Sequence, residues 1–179
     1  MRDTVINLGL YQAGWFAMVL GAARRLPWLG AAGGLFLLTI HVLLSRERRP
    51  EILTVVTVGI LGTLADSIQA HAGVFVFESG YWSYWVVPFW LTVMWMQFAT
   101  LLHFALGWLS GRYLLSAVLG ALGGPAAFWT GERLGGVIFP MGTLYSLLIL
   151  GAAWFLLMPL CVFAADRFQP HRRPGRYRI

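Results

Sequence analysis

The charged residues of this chain are gathered into short clusters, and the stretches between the clusters are long and almost wholly apolar. Six such stretches occur, at 6–23, 28–45, 52–72, 87–109, from 113 to at least 130, and 141–165. Each is close to the ~20 residues an α-helix needs to cross about 30 Å of hydrocarbon. Charged residues make up 11% of the chain and hydrophobic ones 59%, against about a quarter and a half in a soluble domain. So much apolar surface cannot be hidden behind a wetted skin of its own. In a bilayer the backbone must also satisfy its own hydrogen bonds, which leaves helices as the simplest solution. The pattern predicts an all-α membrane bundle of six transmembrane helices as one domain over 1–166, followed by a basic tail over 167–179.

The net charge is +6 and is carried by arginine, since no lysine occurs. The arginines lie at the ends of the apolar stretches, so they read as membrane-orienting charge rather than a nucleic-acid surface. With six spans both termini share one side. That side carries Arg2, Arg46, Arg48, Arg49, Arg112, Arg167, Arg172, Arg173, Arg176 and Arg178, and the other carries Arg24, Arg25 and Arg133. The imbalance predicts both termini in the cytoplasm, with Arg24-Arg25 running against the rule. Gly21-Ala22-Ala23 resembles a signal-peptide cleavage site. The preceding apolar stretch is longer than the ~7–15 residues of such a segment, however, and reads as the first membrane helix. The single cysteine, Cys161, excludes a disulfide within the chain and a thiol-based zinc cluster.

The connection after the third span is strongly aromatic: Phe75, Phe77, Tyr81, Trp82, Tyr84, Trp85, Phe89 and Trp90. On the outer side it reads as an interfacial belt or re-entrant lid, with a ligand-binding cap as the alternative. Small residues recur at helical spacing, with Ala13, Ala17 and Gly21 on the first span, Gly59 and Gly62 on the third, and Gly120 and Gly124 on the fifth. Such residues let backbones approach closely, within one bundle or toward a membrane partner. Gly123-Gly124-Pro125 predicts a kink.

Ionisable and polar groups within the spans are the candidate functional residues, because each costs energy in hydrocarbon and must face inward. Asp66 lies deep in the third span and shares a face with Gly59, Gly62 and Gln69, with Ser67 and His71 close by. Gln97, Thr100 and His103 form a stripe on the fourth span. His41 and His103 are expected at similar depth, with Asp66 further outward near Gln97. Asp66 and His103 are the candidate acid–base residues. Gln12, His41, Ser67, Gln97, Thr100, Glu132 and Arg133 are the candidate ligand contacts. No spacing supports a metal site and no motif calls for a cofactor; phosphate-binding, dinucleotide, serine-hydrolase and zinc-protease signatures are all absent.

Several strings carry a resemblance. They are Asn7-Leu8 with Gln12-Ala13-Gly14-Trp15-Phe16, Leu26-Pro27-Trp28-Leu29-Gly30, His41 with Ser45-Arg46, Leu64-Ala65-Asp66-Ser67, Trp95 with Phe98-Ala99-Thr100, and Leu122-Gly123-Gly124-Pro125. Over nearly its whole length the chain resembles a family of small polytopic bacterial inner-membrane proteins catalogued as domain of unknown function 2878. The resemblance implies a multi-pass protein of the inner membrane of a Gram-negative cell and brings no chemistry with it. Three functions are compatible with the residues. The first is binding or modifying a lipid or other apolar molecule in an intramembrane cavity. The second is acting as the substrate-binding membrane subunit of a vitamin-type transporter, docking a partner through small-residue faces. The third is a non-catalytic role in membrane assembly.

Overall fold

A computed structural model describes residues 2–81 and 83–168. Trp82 and the basic tail over 169–179 lie outside the described residues. The order is α1 (Arg2–Ala23), α2 (Pro27–Leu44), α3 (Arg48–His71), α4 (Phe89–His103), a short 3-10 turn (Gly107–Leu109), α5 (Tyr113–Arg133) and α6 (Thr143–Phe168). The fold is all-helical, and five of these helices are long and apolar enough to cross a membrane. Leucines and isoleucines such as Leu64, Ile68, Leu122 and Leu156 face outward. Together these features describe a multi-pass membrane protein.

The exception is α4. The apolar stretch 87–109 predicted a full span, but the helix stops at His103, and at 1.5 Å per residue it reaches only about 22 Å. The chain turns sharply at Phe104 (φ −117°, ψ −91°), and the 3-10 turn brings Leu109 into the core. α4 is short because it is interior. It packs on α1, α2, α3 and α6, and Trp90, Leu91, Val93, Trp95, Ala99, Leu101 and Leu102 are all buried. α3 begins four residues before the predicted 52, at Arg48, so its first turn is polar and includes Glu51.

Part of the missing length of α4 is made up by the connection before it. Val74, Phe75, Phe77 and Val87 fold back into the bundle and are buried, with Phe75 against Phe128 and Phe77 edge-on to Trp90. Non-helical backbone survives in an apolar place only if its polar groups are paired. Here Ser146 Oγ donates to Val74 O at 2.6 Å, Ser67 Oγ accepts from Val87 N–H at 3.1 Å, and Val76 pairs in antiparallel fashion with Ile138 of the α5–α6 connection. The first half of the aromatic connection is thus folded back and buried against the helices. The second half is peripheral, with Tyr84 and Trp85 80% and 70% exposed.

The predicted small-residue faces are used inside the molecule. A Cβ on Gly30 would lie 2.8 Å from Ala17 O of α1, one on Gly62 would lie 1.9 Å from the Trp95 ring of α4, and one on Gly124 would lie 2.2 Å from the Trp154 ring of α6. The α1–α2, α3–α4 and α5–α6 connections meet at one end of the bundle. There Arg25 pairs with Glu78 at 3.3 Å, and Gly136 sits against Val19. Arg25 therefore has a partner on its own side. α5 runs helical through Pro125.

Candidate functional site

Two polar centres lie at different depths along α3. Glu51 and Asp66 are 15 residues apart on this one helix, about 22 Å along its axis.

The first centre holds Asp66. Glycine at position 62 leaves a notch one turn before it, and the indole of Trp95 fills that notch. The ring is thereby held with Nε1–H pointing at the carboxylate, which it reaches at 2.6 Å. Gln69 Nε2 donates more weakly to the other oxygen at 3.4 Å. Asp66 is fully buried and inward-facing. Its surroundings form the floor of a cleft of about 50 Å³ lined by Tyr11 and Trp15 of α1, Leu91, Met94 and Phe98 of α4, and Ala127 and Phe128 of α5. The cleft exists because α1 packs on α2 and α5 packs on α6, while no extended packing joins α1 to α5. Trp154 of α6 stacks on Trp95 at 4.7 Å and closes the inner wall. Val19 and Gly136 close the end where the connections gather. Chemically, the centre is one carboxyl group with one strong donor in an otherwise apolar slot.

The second centre is Glu51, which the sequence reading passed over. It is 1% exposed and lies between two imidazoles, His41 Nε2 at 2.8 Å and His103 Nδ1 at 2.5 Å. His103 Nε2 meets Thr54 Oγ1 at 3.2 Å, and His41 Nδ1 faces Asn7 Nδ2 at 3.5 Å. Asn7 also donates to Thr100 O and Oγ1 at 3.3 and 3.1 Å. The centre joins α1, α2, α3 and α4 at the end opposite the gathered connections. Among the described residues, no group of three His, Cys, Asp or Glu side chains is arranged to hold a metal ion.

The structure redistributes the candidates. His41 and His103 both reach Glu51, and neither bonds Asp66, so the two candidate acid–base residues Asp66 and His103 stand in separate centres. Gln97 is not beside Asp66 either. It lies two residues from Trp95, about 200° around α4, and its amide donates to Gly34 O at 2.8 Å from within a notch at Gly14. Thr100 belongs to the Glu51 centre through Asn7. Ser67 has both its donor and its acceptor engaged, to Thr63 O and from Val87 N–H. Gln12 is on the outward face of α1, and its neighbour Tyr11 lines the cleft instead. Glu132 accepts from Thr143 at 2.9 Å and Arg133 lies over the Trp129 ring, so both have partners apart from the two centres. Trp95 and Tyr11 were also missed, because an aromatic in an apolar run carries no mark of being a donor or a wall. Glu51 did carry a signal: an acid directly after Pro50, in what the structure shows to be the first turn of a membrane helix.

A family model described as a protein of unknown function (DUF2878) matches residues 4–160. No curated protein and no solved structure matches the chain. With the match spanning both centres and all but the end of α6, the chain belongs to that family.

Proposed function

We propose that this DUF2878 protein is a bacterial inner-membrane protein with both termini in the cytoplasm, and that it takes one narrow apolar molecule, or one hydrocarbon chain of a lipid, from the bilayer into the cleft between α1 and α5. The observation that carries this reading is the break in packing between α1 and α5, which bares an aromatic face of α4 above a buried carboxyl group. A purely structural bundle gains nothing from leaving that seam unfilled, since dispersion contacts are what hold helices together in lipid. The cleft of about 50 Å³ is several times the ~10–15 Å³ that a single water occupies on this measure. It suits a chain rather than a folded two-chain lipid. Asp66 would meet whatever polar group the chain carries, as hydrogen-bond partner or acid–base group.

The test is native mass spectrometry of the full chain released from its own membrane in mild detergent. The expected result is a retained lipid-sized mass, lost on Ala127→Trp, which fills the mouth of the cleft, and altered in amount or identity on Asp66→Asn. A protein that retains nothing, or three proteins that retain the same masses equally, would leave the polar centres as helix glue and support the assembly role instead.

A further inference from the structure

The cleft between α1 and α5 is richer in hydrogen-bond donors than in acceptors. Its polar lining is one carboxyl group, Asp66, against the phenol of Tyr11 and the indoles of Trp15, Trp90, Trp95 and Trp154. An indole N–H can only donate. Asp66 is already supplied, by Trp95 at 2.6 Å on one oxygen and more weakly by Gln69 on the other. Trp90 and Trp154 are both buried, and among the described residues the Nε1–H of neither has a hydrogen-bond partner. Buried tryptophans usually find one, and a donor stranded in an apolar place bears the full cost of its desolvation. Cδ1 of Trp90, the atom next to its Nε1, lies toward Gly80 and the gathered connections. That leaves Trp154 as the unpaired donor on the inner wall. Its ring is fixed there by the Trp95 indole, stacked on it at 4.7 Å, and by Gly124, whose missing side chain leaves it room. The atoms beneath Gly124 are Cγ, Cδ1 and Cδ2, the base of the indole, so Nε1 lies beyond them on the part of the ring farther from its own helix. A ring held in this way cannot turn its N–H to another acceptor without losing both contacts.

We propose, on the reading that the cleft is the binding site, that the molecule it takes carries a neutral oxygen acceptor, the carbonyl of an ester or ketone, and that Trp154 Nε1–H is the donor this oxygen meets. Plain hydrocarbon is in vast excess in a bilayer, and an apolar slot alone cannot choose among its chains. A buried N–H can, because a chain without an acceptor leaves it unpaired and a chain with one satisfies it. The oxygen is neutral for a reason of charge. Among the described residues no cationic side chain lines the cleft, so a free carboxylate would stand beside the Asp66 carboxyl with nothing to balance it. A carbonyl accepts from an indole and brings no charge. Trp95 and Trp154 thus divide the work of one stacked pair, the first holding Asp66 and the second left to read the ligand.

The experiment titrates the full chain in detergent, labelled with nitrogen-15 at tryptophan, with a long-chain methyl ketone and with the alkane of the same length. Trp154→Phe identifies the Trp154 indole signal. The ketone should move that N–H proton signal downfield, as a newly formed hydrogen bond does, and the alkane should leave it where it is. Native mass spectrometry should show the ketone retained over the alkane by on the order of fivefold. The preference should vanish in Trp154→Phe, and Ala127→Trp should lose both probes. Equal retention of ketone and alkane with the indole signal unmoved would overturn the inference and leave the cleft standing. The N–H would then be spent on the Phe98 ring, which meets Trp154 edge to face at 5.6 Å. Retention of neither probe would remove the cleft as a binding site and the inference with it. Should Trp154→Phe fail to fold, the ratio of ketone to alkane on the unaltered chain decides by itself.

Discussion

At the scale of single residues the fold is fixed by glycines that receive rings. Gly62 has room for nothing more than its hydrogen, because the Trp95 indole occupies the place of a side chain, and that indole in turn holds Asp66. Gly62→Leu must therefore expel the ring and break the carboxylate's one strong hydrogen bond at once. The loss should reach or exceed the ~1–3 kcal/mol usual for overpacking, because a stranded buried acceptor adds a further ~1–3 kcal/mol. Thermal unfolding followed by tryptophan fluorescence will read it. Gly9→Ala, at a glycine with nothing within 4 Å, should shift stability by less than about 0.5 kcal/mol. The spacing of Gly59, Gly62 and Asp66 on one face was legible in the sequence, and so was the need for the acid to point inward. What it pointed at was not, since tryptophan looks the same in sequence whether it packs or donates. Glu51 failed to stand out for the opposite reason. It sits beside Arg46, Glu47, Arg48 and Arg49, where an acid reads as wetted charge, and its burial depends on histidines 10 and 52 residues away.

At the scale of elements, hydropathy located all six helices but not their ends. It joined α4 to the turn that follows, because Phe104, Leu106, Trp108 and Leu109 are as apolar as a span. Hydropathy measures affinity for an apolar medium, and the protein interior is as apolar as lipid, so a buried turn and a spanning helix score alike. Tight pairing of α5 and α6 has a local cause. Pro125 has no N–H and leaves the carbonyl of Ala121, four residues earlier, without its helical donor. Gly151 of α6 sits over that carbonyl, where a Cβ would lie 3.3 Å from Ala121 O and 3.7 Å from the proline ring. Gly151→Leu should push the two helices apart and cost about 1–3 kcal/mol. The same substitution at Gly123, where a Cβ meets nothing within 4 Å, should be much milder. A melting curve for each variant in the same detergent decides between a packing seam and a general intolerance of bulk on these helices.

At the scale of the whole molecule, orientation follows from where the connections gather. The α1–α2, α3–α4 and α5–α6 connections touch one another through Arg25 and Glu78 and through Val76 and Ile138, so they share one face of the membrane. Gly111, in the α4–α5 connection, hydrogen-bonds Asp166 near the end of α6, which places both on the opposite face with the α2–α3 turn. On the proposed topology the arginine imbalance predicts that second face in the cytoplasm, against three arginines on the other. Arg25 pairs with Glu78 and Arg133 rests on Trp129, but both stay charged, so with Arg24 they stand as three opposing charges. The prediction can be read without background, because the sole native thiol, Cys161, is 0% exposed. Cysteine placed at Tyr84 should react in intact cells with a thiol reagent that cannot cross the inner membrane. Cysteine at Arg46 should react only after the membrane is permeabilised. The reverse pattern would put the Glu51 centre on the outer side and would turn the cleft's closed end toward the cytoplasm.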